Sequence, residues 1–445
     1  AGRLPGWTRG MSTGSPARRS GPRATAPGDR SAQLTDSWTG GPPPLAEPDD
    51  APAPGPSSPS AEHLAVLAAR HNAGLSLGRL GRWEEAGEVH RAVAAERAHA
   101  LGPEHPDTLA SRFQVAFALS RTGRAAEALR AYEEVAAARA RTLGADHGDT
   151  LAARQETAYA LGRLGRHFEA HEAYVSVLAA RERTMGPDHP DTLRCRHNLA
   201  FNLSRLGRLE DAYRMARDVA EARAHVLGPQ HPDTLVTQYE VAYVLGQLGQ
   251  WQEALRIYRE VAAGRAQALG ADHPDTLAAL HETGISLGRL GRSAEALELY
   301  RDLVEARTRA QGPRDPETLR ARHGLGVNLG RLGRWEEALA EARSVAAARA
   351  GVLGADHPDT LVSRREIAVA LGWLGRWQEA LTVYHEVADA RERVLGADHL
   401  DALASRGDEA QCLEHLGRSA EAVALYRRVA ALRQRRGRGG ERSVS

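Results

Sequence analysis

The sequence predicts an all-α chain: about nine stacked helix pairs behind a disordered N-terminal segment. Three observations carry the prediction. A 42-residue period runs through residues 61–436 without insertion or deletion. Each period contains two stretches whose apolar residues recur at helical spacing, and a glycine closes each stretch. A fixed period of this length marks a solenoid, in which each unit packs only on its neighbours.

Composition sets the outer bounds. Of 445 residues, 42% are hydrophobic and only 5% aromatic. Ala, Leu and Gly dominate, which suits helices packed closely through small side chains. The formal charge is +1, so neither nucleic acid nor an anionic membrane is indicated as a partner. All 58 basic residues are arginine. No run reaches the roughly 18 apolar residues of a membrane span. Cys195 and Cys412 stand alone, without zinc spacing or a disulfide framework, so a reducing, cytoplasmic setting is expected. The chain begins at Ala1 with a methionine only at Met11; a fragment, or a non-native stretch upstream, is the expectation.

Three regions follow. Residues 1–60 hold 12 of the 22 prolines, with runs such as "GGPPP" and "APAPGPSSPS". That segment cannot bury enough apolar surface to offset its backbone entropy and reads as disordered. Residues 61–436 form the array of nine 42-residue units. Residues 437–445 read as a disordered basic tail.

Within a unit, the first helix is exemplified by "DTLAARQETAYALGRLG" (149–165), with Leu151, Ala158 and Leu161 on a helical period. Leu recurs at the 151 and 161 positions in all nine units. The 158 position is always Ala or Gly, which admits a neighbouring helix. Gly165 supplies the left-handed residue that ends this helix. The second helix, "EAHEAYVSVLAARERTMG" (169–186), buries Ala170, Tyr174 and Val177 and closes at Gly186.

The order Ala158, Leu161, Gly165, Glu169, Ala170, Tyr174 resembles the tetratricopeptide repeat. The 42-residue unit exceeds the usual 34 by about one turn per helix. With its "LGxDHPDTL" connector it is similar to the repeats of kinesin light chains and of bacterial regulatory arrays. The resemblance implies a right-handed α-α superhelix that binds peptides or proteins along a concave face lined by the first helices, without catalysis.

The connector holds a tempting cluster, as in "LGADHPDTL" at 269–277. A shared metal would have to recruit His105, His147, His189, His231, His273, His357 and His399. Equivalent points on stacked helix pairs lie about 10 Å apart, too far for ligands that must each approach one ion to about 2.1 Å. Asp315 stands in the eighth position. A structural reading accounts for every letter: Gly ends one helix, Pro opens the next, Asp and Thr accept from free first-turn amides, and Leu starts the buried stripe. An arginine column (Arg97, Arg139, Arg181, Arg223, Arg265, Arg307, Arg349, Arg391, Arg433) is filled in all nine units. It reads as architecture, reaching the next connector as Arg139 would reach Asp149, rather than as a ladder of phosphate ligands.

Recognition is expected in the columns that vary. On the face the resemblance makes concave, one column runs His71, Phe113, Gln155, His197, Tyr239, His281, His323, Arg365. The next holds Asn72, Gln114, Glu156, Asn198, Glu240, Glu282, Gly324, Glu366. A third holds Leu75, Phe117, Tyr159, Phe201, Tyr243, Ile285, Val327, Val369. A fourth holds Arg79, Arg121, Arg163, Arg205, Gln247, Arg289, Arg331, Trp373. The histidine and amide columns are expected in an open groove, holding peptide backbone. The aromatic column divides evenly between groove and core. The arginines either pair with carboxylates of an acidic partner or form a solvated face. Trp83, Trp251, Trp335 and Trp377 read as fillers at the mid-unit turn. Gly407, Asp408, Glu409, Gln411 and Glu414 read as a polar cap facing water.

The function this supports is a non-catalytic protein-interaction scaffold. The alternative is the sensor or autoinhibitory module of a larger signalling or transcriptional regulator whose effector lies elsewhere. No GxxxxGK[ST], HExxH or GxSxG motif occurs, so no enzyme and no cofactor are expected. Nothing in the sequence points to self-association.

Overall fold

A computed structural model describes residues 60–441, with side chains through residue 435. Of the segments expected to be disordered, residues 1–59 of 1–60 and residues 442–445 of 437–445 lie outside the described residues. Within them every regular element is an α-helix. The first helices of the nine repeats are α1 (Ala61–Arg79), α3 (Pro106–Arg121), α5 (Gly148–Arg163), α7 (Pro190–Arg205), α9 (Pro232–Gln247), α11 (Pro274–Arg289), α13 (Pro316–Arg331), α15 (Pro358–Trp373) and α17 (Leu400–His415). The second helices are α2 (Trp83–Leu101), α4 (Ala125–Thr142), α6 (His167–Met185), α8 (Leu209–Leu227), α10 (Trp251–Leu269), α12 (Ser293–Gln311), α14 (Trp335–Leu353), α16 (Trp377–Leu395) and α18 (Ser419–Glu441). The last helix thus runs past the expected array end at 436.

The helices group into two compact units that divide between Gln250 and Trp251, inside the fifth repeat. Within each unit, consecutive helices pack side by side, and first helices of adjacent repeats also touch, as α5 does α7 and α11 does α13. The second helices contribute the apolar stripe seen in the sequence: Ala170, Tyr174 and Val177 are buried against Leu151, Ala158 and Leu161. Each large side chain so buried contributes roughly 1.5–3 kcal/mol.

The two glycine columns do different work. Gly165 (φ 78°) lies in the left-handed region, and the amide of Arg166 donates back to the carbonyl of Leu161 across 3.0 Å, closing the first helix in a Schellman motif. Gly186 (φ 89°, ψ 164°) instead occupies a region essentially closed to other residues. It turns the chain abruptly into the connector.

The connector's letters have roles, and two differ from expectation. The helix cap is the histidine, not the Asp or Thr. Nδ1 of His105, His147, His189, His231, His273, His357 and His399 accepts the amide two residues on, each at 3.2 Å. Asp315 does the same through Oδ1 at 2.8 Å, which explains how a carboxylate replaces an imidazole there. The threonine points backward: Thr108, Thr150, Thr234, Thr276 and Thr360 donate to the carbonyl of the connector glycine six residues earlier at 2.8–2.9 Å. One residue caps the new helix while another latches it to the end of the old one.

The arginine column clamps the same joint from below. Arg97, Arg139, Arg223, Arg265 and Arg349 donate Nη1 to the backbone carbonyl of the first-turn acid ten residues on, at 2.9–3.2 Å, and Arg181 donates likewise to Asp191. Arg307 departs by pairing with the Glu317 carboxylate at 2.9 Å. The guanidinium therefore binds backbone more than acid side chain. These arginines are buried, Arg181 to 1% exposure, whereas Arg433, which no connector follows, is exposed. Buried in the stack and bound to the connector that follows, these guanidiniums are not available to a ligand, so the column belongs to the architecture.

Candidate partner-binding site

The four variable columns occupy different depths. In the first, His71, His197, Tyr239 and His281 are buried between helices rather than lining an open groove, which corrects the expectation for these four. In three repeats the first-column ring packs on a ring of the second helix. His71 meets His90 edge-on at 4.9 Å, Phe113 meets Tyr132 at 5.4 Å, and His281 meets Tyr300 at 5.5 Å. Burial, then the charge of Arg97, pushes His71 down to about 4. Burial, then Arg223, pushes His197 down to about 3. Both are thereby held neutral inside the stack.

The amide column is exposed only at its start: Asn72 is open, while Gln114 and Asn198 are buried. In the third column Phe117, Tyr159 and Tyr243 are half-buried, and Phe117 and Tyr159 pack on the core of the first unit. In the fourth, Arg79, Arg163 and Arg289 are exposed, with Arg121, Arg205 and Arg331 half-buried.

The turn tryptophans are more than fillers. Three of them pack where a first helix has glycine: a Cβ built on Gly78 would lie 2.7 Å from the Trp83 ring, one on Gly330 would lie 2.6 Å from Trp335, and one on Gly372 would lie 2.8 Å from Trp377. The outer face of each ring then receives the fourth column of the next repeat. Arg121 lies over Trp83 at 5.0 Å and Arg289 over Trp251 at 5.4 Å. Trp373 stacks on Trp335 at 5.0 Å and His415 on Trp377 at 4.0 Å. Part of the arginine column is therefore a cation–π partner rather than a free binding surface.

Between α13, α14, α15 and α17 the first-helix face opens into a cavity of ≈320 Å³. Val327, Ala338, Ala342, Val345 and Val369 form apolar walls, and Arg322, Arg331, Glu366, Asp408 and Glu414 bring charge to it. Six residues of the four variable columns, His323, Val327, Arg331, Arg365, Glu366 and Val369, line this cavity. Arg365 binds Asp408 through Nε at 2.6 Å and Nη2 at 3.2 Å, so its charge is already matched. Burial raises the Glu366 carboxyl above its ordinary range, with Arg365 opposing. Burial lowers His323 to about 3, with Arg349 adding to the shift.

The last first helix is not a uniformly solvated cap. Glu409 is buried and accepts from Arg406 at 2.7 Å. Gln411 and Glu414, with Asp408, reach the cavity. Sequence reasoning missed this site for lack of one comparison. The 174 position carries Tyr in six repeats and Ala at 216 and 342, and Ala342 sits in the cavity wall.

The tetratricopeptide repeat family model matches residues 65–141, 157–224, 197–265, 233–309, 289–350 and 359–435. The chain belongs to the tetratricopeptide repeat family. No curated protein matches it. The chain is similar to a putative kinesin light chain of Podosopora anserina with nearly identical tetratricopeptide-like repeats. That match has 31% identity and a TM-score of 0.43, and covers 47% of this chain and 98% of the other. The array shares its fold with apo RapI, at 12% identity and TM-score 0.61 over 84% of this chain and 99% of that one. It shares it also with the apo quorum sensor NprR of B. thuringiensis, at 13% identity and TM-score 0.57 over 83% and 99%. No described helix is long and apolar enough to cross a membrane.

Proposed function

We propose that this tetratricopeptide array is a non-catalytic, cytoplasmic scaffold that captures an extended segment of a partner protein on its first-helix face, at the cavity between α13 and α17. The observation that supports it is the cavity itself: four helices enclose an apolar hollow under a rim of polar groups, the form of a recognition pocket. Side chains whose rings and charges are consumed inside the stack, such as His197, Tyr239 and Arg121, support the framework instead. A Rap protein of this fold was solved with competence and sporulation factor bound, which is consistent with an array of this kind acting through a bound factor. The rim does not favour an acidic segment, because Arg365 is paired with Asp408 and carboxylates accompany Arg322 and Arg331.

A random peptide library selected on the full chain tests this reading. Enrichment on the wild type that Val327→Arg abolishes, at an unchanged melting temperature, is the expected result. Enrichment that survives Val327→Arg, or none at all, would remove the cavity from consideration as the binding site.

A further inference from the structure

One position of the second helix holds a ring in seven repeats: His90, then Tyr132, Tyr174, Tyr258, Tyr300, Tyr384 and Tyr426. Repeat 6 shows what the ring does. The Tyr300 hydroxyl donates to the carbonyl of His281 at 3.3 Å, and the ring is wedged between two glycines. A Cβ built on Gly284 would lie 2.7 Å from it and one on Gly324 only 2.5 Å.

One repeat on, the counterparts of Tyr300, His281, Gly284 and Gly324 are Ala342, His323, Gly326 and Glu366. All four line the cavity. A Cβ on Gly326 would meet nothing nearer than Cγ of Glu341 at 3.6 Å. The hollow is therefore the space that a tyrosine fills in the neighbouring repeat. Loss of the ring alone does not open it. Ala216, the other departure, is fully buried, and the next first helix there carries the fully buried Tyr239. Repeat 8 has Arg365 in that place, held by Asp408.

The geometry points to this cavity as a socket for a phenolic side chain, inserted from outside by an extended segment of the partner. The inference rests on the scaffold reading for the source of the side chain. The socket itself rests on the packing of repeats 6 and 7. By register, the inserted hydroxyl would lie by the carbonyl of His323, as that of Tyr300 lies by His281, with the Glu366 carboxylate as a second acceptor. The volume of ≈320 Å³ equals that of about ten liquid waters, enough for a ring and the backbone that delivers it.

The test uses p-cresol, the side chain of tyrosine, titrated onto the full chain and onto Ala342→Tyr, with a wild-type crystal soaked in parallel. The wild type is expected to bind with a Kd of about 1 mM, roughly fivefold tighter than toluene for the one added hydrogen bond. Binding should fall at least about tenfold in Ala342→Tyr, whose melting temperature should rise by about 3 °C as the hollow fills. Equal binding to both proteins, density elsewhere, or no binding would overturn the socket. The soaked wild-type crystal decides alone if the variant does not fold. Peptides that are enriched but survive Ala342→Tyr while yielding to Val327→Arg would refute the socket and leave the scaffold standing. Bound p-cresol with no enriched peptide would do the reverse.

Discussion

Residues 60–250 and 251–435 are built from the same repeat, yet their first-helix faces are filled differently. In the first region the third column carries Leu75 and then Phe117, Tyr159, Phe201 and Tyr243; in the second it carries Ile285, Val327 and Val369. The first region buries neutral rings, among them His71, His90, His197 and Tyr239. The second buries rings too, among them His281, Tyr300 and Tyr384, but in repeats 8 and 9 its first two columns carry Arg365, Glu366 and Asp408, and a cavity opens beside them. The framework is common, since the histidine caps, threonine latches and arginine clamps occur in both. What differs is whether the space between successive helix pairs is filled by the chain or left open.

Acid should separate the two regions most clearly. Burial holds His71 and His90 at about 4 and His197 at about 3, below the ordinary 6.5, while residues 251–435 set His323, at about 3, against these three. A histidine depressed in the fold takes up its proton more readily when unfolded, so its contribution disappears as pH falls from about 6.5 toward 4. Each carries up to about 3 kcal/mol by this linkage. Hydrogen exchange at pH 7 and pH 5 should show residues 60–250 losing more protection than 251–435. His71→Phe with His197→Phe, which copies Phe113, should flatten the difference. Asp233 works oppositely: its carboxyl is raised to about 7, first by burial, so its contribution is lost as pH rises through 7. Equal acid sensitivity in the two regions would contradict this picture.

Smaller effects sharpen the claim that the framework is shared. His105→Ala and His273→Ala, one in each region, should each cost about 1 kcal/mol in urea unfolding as a cap is lost. His105→Asp and His273→Asp should restore it, because Asp315 already caps that way. A cost confined to one region would mean that the joints are not equivalent.

Much of this was legible in the sequence because identical letters at a fixed interval meet identical surroundings. Leu151, Gly165 and Arg181 could be read as joints for that reason, and the helix pairs follow from them. The division of labour within the connector was not legible. Asp, Thr and His all have oxygen or nitrogen acceptors near the helix start, and only the backbone direction makes His273 the cap and Thr276 the latch. The depth of His197 and Asn198 was hidden as well, since burial depends on what the neighbouring helices pack beside them and not on the letter at that position. Two departures from the repeat, Ala342 and Arg365, stand 23 residues apart in sequence but together line the hollow. Sequence alone gave no reason to pair them.

The measurement that bears most directly on the account is a p-cresol soak of crystals of Tyr300→Ala, which gives repeat 6 the alanine of repeat 7 while the next first helix carries the half-buried His323 instead of a fully buried tyrosine like Tyr239. If the hollow is the space of an absent tyrosine, density for p-cresol should appear in repeat 6, with its hydroxyl by the carbonyl of His281, as well as in the original cavity. Collapse of repeat 6 onto the missing ring, with p-cresol in neither place, would contradict it.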